Sequence, residues 1–163
     1  MMSSKLLSSQ IIIYHSILFL CFCLSVNYFT DLKIINFTSY VIFHLTLIYL
    51  AFYFFNFILF FIYFLYGVFF DIFLINFISP HLICFLIFIL LFYLMKKLLV
   101  NISSFKIAYI ILIISQIMFF MEALIANMLF NYPVKFYNLG ILSLITIIIF
   151  IPLLSLFSKI DKI

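Results

Sequence analysis

The sequence predicts an all-α integral membrane protein with about six transmembrane helices. Three observations lead to this fold class. The 163 residues are 71% hydrophobic and only 7% charged, whereas soluble domains carry roughly 25% charged residues. Apolar runs long enough to cross a bilayer follow one another along the chain, separated by short polar stretches. Most of the lysines fall on one side of the membrane when these runs are threaded through it.

Each predicted span is an apolar run of roughly 20 residues, the length that a helix needs to cross the hydrocarbon core. The first run ends before the polar stretch 30–33. As a single helix, 40–78 would be roughly 58 Å long, about twice the hydrocarbon thickness, so we divide it at Asn56. Pro80 suits the first turn of the fourth helix. The predicted spans, all within one membrane domain, are 9–29, 40–55, 57–77, 81–95, 107–129 and 139–157.

The positions of the lysines favour six spans with both termini in the cytoplasm. This topology places two lysines outside, Lys33 and Lys135, and six in the cytoplasm, which are Lys5, Lys96, Lys97, Lys106, Lys159 and Lys162. If 40–78 were one span, Lys96, Lys97 and Lys106 would change sides, as would every later lysine, and the split would be two cytoplasmic lysines against six outside. Because short loops rich in lysine stay cytoplasmic, the topology with six spans is preferred. The lysines form no basic stripe, so the expected partner is the lipid bilayer and not nucleic acid.

Four ionisable side chains fall in the outer part of the predicted spans: His44, Asp71, His81 and Glu122. A charged carboxylate near the middle of a spanning helix costs at least ~2.5–3.5 kcal/mol. Each acid must therefore face protein or water, or stay protonated. The helical rise places Asp71 about 9 Å and Glu122 about 10 Å below the outer ends of their spans. The two acids are thus predicted to occupy the same layer of the membrane.

These polar residues allow two interpretations. They form either a polar pocket, proton-coupled site or metal site open to the outside, or separate buried groups hydrogen-bonded to backbone or to amides such as Asn76 and Asn127. We expect the second. No two metal ligands share a helix at i, i+4 spacing, and no phosphate-binding loop or nucleophile–base motif is visible. We therefore expect no catalytic, cofactor-binding or metal-ligating residues, and no enzyme activity.

Gly67 and Asp71 stand four residues apart and so share one face of the third predicted span. A glycine at this position admits a neighbouring backbone, and the carboxylate can then reach the polar groups of that neighbour. The alternative is a packing glycine beside a fortuitous acid. In the sixth span, Pro152 removes one backbone hydrogen bond and is expected to kink the helix.

The segment 64–97 combines an apolar G-x-x-x-D helix (Gly67, Asp71), a short turn with Pro80, and a long apolar helix that ends at Lys96 and Lys97. This combination resembles the family of rod shape-determining protein MreD. Pro152, several residues before the basic tail 159–162, also looks like the last span of that family. The sequence departs from the family at the turn 80–82, which lacks the usual glycine, and in the second span, which lacks the usual Tyr-Trp pair.

The resemblance implies a non-enzymatic component of the cell-elongation machinery in the bacterial inner membrane, which scaffolds peptidoglycan synthesis. Its direct partner would be an MreC-like bitopic protein, and through it the MreB filament and peptidoglycan synthases. The family is also similar in fold to the substrate-binding subunits of energy-coupling-factor vitamin transporters. Such a subunit is the first alternative and would need an outward-facing pocket with polar contacts. A small respiratory-chain membrane subunit is the second, although acids at successive membrane depths are missing.

Overall fold

The structure, a computed structural model, describes residues 4–27, 33–75, 80–99 and 104–161, with the side chains of 4–9, 96–99 and 104–105 left out. The described residues form six α-helices and no strand, which confirms the all-α class. The helices are α1 (Ser4–Ser25), α2 (Lys33–Tyr53), α3 (Phe57–Ile75), α4 (Pro80–Leu99), α5 (Ser104–Phe130) and α6 (Phe136–Ile160).

Four of the helices, α2, α3, α5 and α6, are long and apolar enough to cross a membrane. In α1 and α4 the described side chains form shorter apolar stretches, Gln10–Ser25 and Pro80–Met95. The length and composition of these helices are compatible with a membrane protein, and the number of six spans stays a prediction.

The boundaries of the helices differ most from the predicted spans at α2. This helix begins at Lys33 and not near Tyr40, so the polar residues between them are helical. Polar residues at the membrane surface need not end a helix, because water and neighbouring chain can satisfy them. Asn36 is one example, since its Nδ2 donates to the carbonyl of Asn27 at 3.2 Å.

The helix break predicted at Asn56 is present in the structure. α2 ends at Tyr53 and α3 begins at Phe57. The connection is short because its backbone groups are satisfied locally: the N–H of Phe54 donates to Leu50, and the N–H of Leu59 donates to Asn56. The chain can therefore reverse direction within a few residues.

α2 lies at the centre of the bundle and contacts all five other helices. In its most apolar stretch 61% of the residues are buried, against 22–33% in the other three long helices. The most extensive pairings are α3 with α4 and α1 with α2. Aromatic rings fill much of the core, as where Phe43 of α2 meets Phe70 of α3 edge-on with 4.8 Å between ring centroids.

Several residues used in the sequence analysis lie outside the described residues. These include the polar stretch around Asp31, the residues Asn76 and Ser79, and Lys162. The side chains of Lys5, Lys96 and Lys97 also belong to this group. The lysines whose side chains are described, Lys33, Lys106, Lys135 and Lys159, are all exposed.

Candidate functional site

Gly67 allows α3 and α4 to approach each other closely. A Cβ added to Gly67 would lie 2.8 Å from the Cα of Leu82 and 3.2 Å from its backbone nitrogen. The first distance is shorter than real Cβ contacts allow, and the atom it meets is backbone, which cannot turn aside. Gly140 has open space around it, with nothing within 4 Å of an added Cβ. The predicted role of Gly67, to admit a neighbouring backbone, is confirmed.

Asp71, one helical turn after Gly67, caps the first turn of α4. Its Oδ1 accepts the backbone N–H of His81 at 2.9 Å, and its Oδ2 accepts that of Leu82 at 3.0 Å. The first N–H groups of a helix lack partners within the helix, and their partial positive charge favours an anion. Pro80, the first residue of α4, has no N–H to satisfy. The fully buried carboxylate therefore satisfies the two donors that follow the proline.

A chain of hydrogen bonds, here called the polar network, continues from Asp71 through three further helices. The ring of His81 donates from Nδ1 to Asp71 at 2.8 Å, and its Nε2 lies 3.0 Å from the hydroxyl of Tyr40. The Tyr40 hydroxyl donates to Oε2 of Glu122 at 2.5 Å. Oε1 of Glu122 lies 2.8 Å from Nε2 of His44. The network thereby connects α3, α4, α2 and α5.

The expectation of separate buried groups is wrong for these four ionisable residues. Asn127, one of the amides considered as a partner, donates instead to the carbonyl of Tyr132 at 2.8 Å. Asp71 and Glu122 belong to one hydrogen-bonded chain, through His81 and Tyr40, and their common depth in the membrane stays a prediction. The direction in which each side chain faces depends on how the helices pack, which helical depth does not reveal.

Tyr40 is the member of the network that sequence reasoning missed. In the sequence, Tyr40 marks only the start of the predicted span 40–55. In the structure, its hydroxyl links His81 to Glu122. A signal was present, since Tyr40 and His44 are four residues apart and share a face of α2. The ring of His44 also contacts the Tyr40 carbonyl through Nδ1 at 2.8 Å.

The polar network pairs each of its two carboxylates with an imidazole: Glu122 with His44 and Asp71 with His81. Burial of ionic groups is tolerated when they are paired and hydrogen-bonded. This condition is met here, since His44 is 0%, Glu122 5% and His81 6% exposed.

A cavity of about 390 Å³, here called the end cavity, lies beside the polar network. All six helices contribute to its wall. Tyr40, His81 and Glu122 line what we call its inner end; the α5–α6 connection with Lys135 lines what we call its other end, since α5 runs eight residues, roughly 12 Å of helical rise, beyond Glu122. The rest is largely apolar, with Phe119 among the wall residues. This size, and an apolar wall with a few convergent polar groups, are typical of small-molecule sites.

A second polar cluster ties the end of α6 to α1 and α2. The hydroxyls of Tyr14 and Tyr49 donate to the two carboxylate oxygens of Asp161, the first at 2.6 Å. Nε2 of Gln10 donates to the Asp161 carbonyl at 3.1 Å. In the sequence, Asp161 stands within the basic tail 159–162 and has no motif around it. The partners lie at the other end of the chain, so no local pattern could have indicated them.

The remaining predicted residues belong to neither cluster. Pro152 is exposed on α6, which continues through it to Ile160. Within the described residues, no group of three or more His, Cys, Asp and Glu side chains could hold a metal ion.

No protein-family model, curated protein or solved structure matches the chain.

Proposed function

We propose that the protein is a non-enzymatic scaffold of the bacterial cell-elongation machinery, similar to MreD, with six spans in the inner membrane and both termini in the cytoplasm. The α3–α4 pair carries the proposal. Gly67, Asp71 and Pro80, on which the resemblance rests, lie where α3 meets the start of α4. Gly67, Asp71 and Pro80 thus stabilise the packing of α3 against α4. Such a structural role suits a protein that holds another chain in place.

A scaffold in the membrane needs a lipid-facing surface on which a partner helix can pack. A groove of about 680 Å³ lies between α1 and α3, with Phe19, Phe61 and Phe69 among its wall residues. His15 also lies in this groove and is exposed. A polar ring that faces hydrocarbon is costly and is better placed against protein. We expect the single spanning helix of an MreC-like partner to pack here, with the MreB filament and peptidoglycan synthases reached through that partner.

Depletion tests this function directly. Loss of the protein from a rod-shaped host should round the cells, and purification should recover a single-span protein with an external coiled coil. A photo-cross-linking residue at Phe61 in the groove should capture that partner, whereas one at Ile148, which is 71% exposed on α6, should not. Cells that stay rod-shaped after depletion would contradict the scaffold.

The end cavity favours a second candidate, the substrate-binding subunit of an energy-coupling-factor vitamin transporter. This function needs a pocket with a few polar contacts, and Tyr40 lines such a space together with the buried His81 and Glu122. Depleted cells that keep their rod shape but lose uptake of one vitamin would replace the scaffold with this subunit.

A further inference from the structure

We propose that the end cavity binds a small organic anion that carries a hydroxyl or amino group at the end opposite its acidic group. This goes beyond the scaffold, which needs no ligand. Under the second candidate function it would name the class of substrate. The inference rests on which donors and acceptors remain available around the cavity wall.

The inner end of the cavity offers acceptors. The hydroxyl proton of Tyr40 is used by Glu122, and both ring nitrogens of His81 are engaged by Asp71 and Tyr40. The hydroxyl of Ser25, another wall residue, donates to the Phe22 carbonyl at 2.8 Å. A carboxylate has about four acceptor positions, and two contacts engage Glu122. A ligand that brings a donor to this end can therefore bind Glu122.

The other end of the cavity offers a positive charge. Lys135 lies in the wall, in the connection between α5 and α6, and its side chain is exposed. Its ammonium provides three donors and no acceptor. The first N–H groups of α6, which begins at the next residue, add a partial positive charge. An acidic group on the ligand complements this end, and a cationic group would be repelled.

Most of the remaining wall is apolar, although the amides of Asn36 and Asn138 also belong to it. Phe37, Phe119, Leu139 and Leu142 face the cavity, so the middle of the ligand is a hydrocarbon or aromatic body. The ligand is thereby defined by three parts: a donor at Glu122, an apolar body and an anion at Lys135. Such chemistry is found in free hydroxy or amino acids with an apolar body. The headgroup of an anionic phospholipid such as phosphatidylglycerol offers the same two polar features, a negative charge on its phosphate and hydrogen-bond donors on its glycerol hydroxyls.

The test uses the full chain in phosphatidylcholine nanodiscs and three matched probes. Hydroxyphenylpropionate has both polar ends, phenylpropionate lacks the hydroxyl, and hydroxyphenylpropanamide lacks the acid. We expect the first to bind at least about tenfold more tightly than either of the others, the loss of roughly one good polar contact. Equal binding of all three probes, or of none, would overturn the proposal.

Two pairs of variants locate the binding. Lys135→Met should abolish the preference for the acid, whereas Lys106→Met, at the opposite end of α5, should retain it. Ala126→Leu, which fills part of the cavity, should weaken hydroxyphenylpropionate at least about tenfold, and Ala108→Leu should not. If both members of a pair behave alike, the probe binds elsewhere and the site is refuted.

Nanodiscs of phosphatidylglycerol separate the two sources of the ligand. If hydroxyphenylpropionate binds in phosphatidylcholine nanodiscs but not in phosphatidylglycerol nanodiscs, the lipid headgroup competes for the cavity and is assigned as its ligand. If the probe binds equally in both, the ligand is a free acid. Both results support the shared chemistry. Because binding is measured on purified protein, failure here leaves the cell-shape proposal unaffected, and failure of that proposal leaves this one unaffected.

Discussion

Asp71 and His81 are joined through a single oxygen atom. Oδ1 of Asp71 accepts both the backbone N–H of His81, at 2.9 Å, and its ring Nδ1–H, at 2.8 Å. The carboxylate that caps α4 therefore also orients the imidazole, whose Nε2 continues to Tyr40. Helix capping and the polar network are coupled, because one side chain supplies the acceptor for both.

Asp71→Leu should destabilise the protein by roughly 3–5 kcal/mol, the cost of breaking a buried ion pair by removal of one partner. The substitution leaves His81 and the first amides of α4 without an acceptor. Asp71→Asn keeps one acceptor oxygen and should be milder. Thermal unfolding in detergent would rank the two variants. If the Leu variant melts like the wild type, the carboxylate has no structural role.

Gly67→Ala should lower the unfolding temperature, because the new methyl group lies against the backbone of Leu82. Overpacking of this kind costs about 1–3 kcal/mol. Gly140→Ala is the matched control, since its surroundings are open and alanine is the better helix former. It should be neutral or slightly stabilising. Equal effects of the two substitutions would contradict the close approach of α3 and α4.

Tyr40→Phe should destabilise by about 1–3 kcal/mol, the cost of leaving a buried polar group unsatisfied. Both Glu122 and His81 lose a partner when this hydroxyl is removed. Tyr63 provides the control, because its buried hydroxyl has no hydrogen-bond partner among the described residues. Tyr63→Phe should therefore be neutral or stabilising in the same chemical denaturation experiment. The reverse order would refute the polar network.

Asp161→Ala should loosen the last turn of α6 from α1 and α2. The substitution removes the acceptors of Tyr14 and Tyr49, so amide hydrogen exchange in 155–160 should become faster. Ser158→Ala is the control, since its hydroxyl donates only within the same helix, to Ser155 at 2.9 Å. Unchanged exchange in the Asp161 variant would show that the cluster does not anchor the helix.

The proposed topology predicts that reporter fusions after Lys97 and after Lys162 both lie in the cytoplasm. The reason is the preference of lysine-rich short loops for that side. Activity of a cytoplasmic reporter and silence of a periplasmic one at both sites is the expected result. A periplasmic signal after Lys97 would exclude six spans with a cytoplasmic N-terminus.

The prediction of the helices depended on properties that are local in the chain. The length of apolar runs and the helical rise led to the break at Asn56, which the structure contains, and to the prediction of a common depth for Asp71 and Glu122. The pair Gly67 and Asp71 could be interpreted because four-residue spacing fixes a shared face. The start of α2 was misplaced, since polar residues near the membrane surface are compatible with both a helix and a loop.

By itself, the sequence determined the all-helical class, the apolar character compatible with a membrane protein and the succession of six helices, because composition and helical geometry belong to the chain alone. Only the tertiary structure decided which groups meet. The rotation of each helix about its axis and the choice of its neighbours result from the packing of all six helices together. For this reason Tyr40 joins His81 to Glu122, and Asp161 reaches Tyr14 and Tyr49.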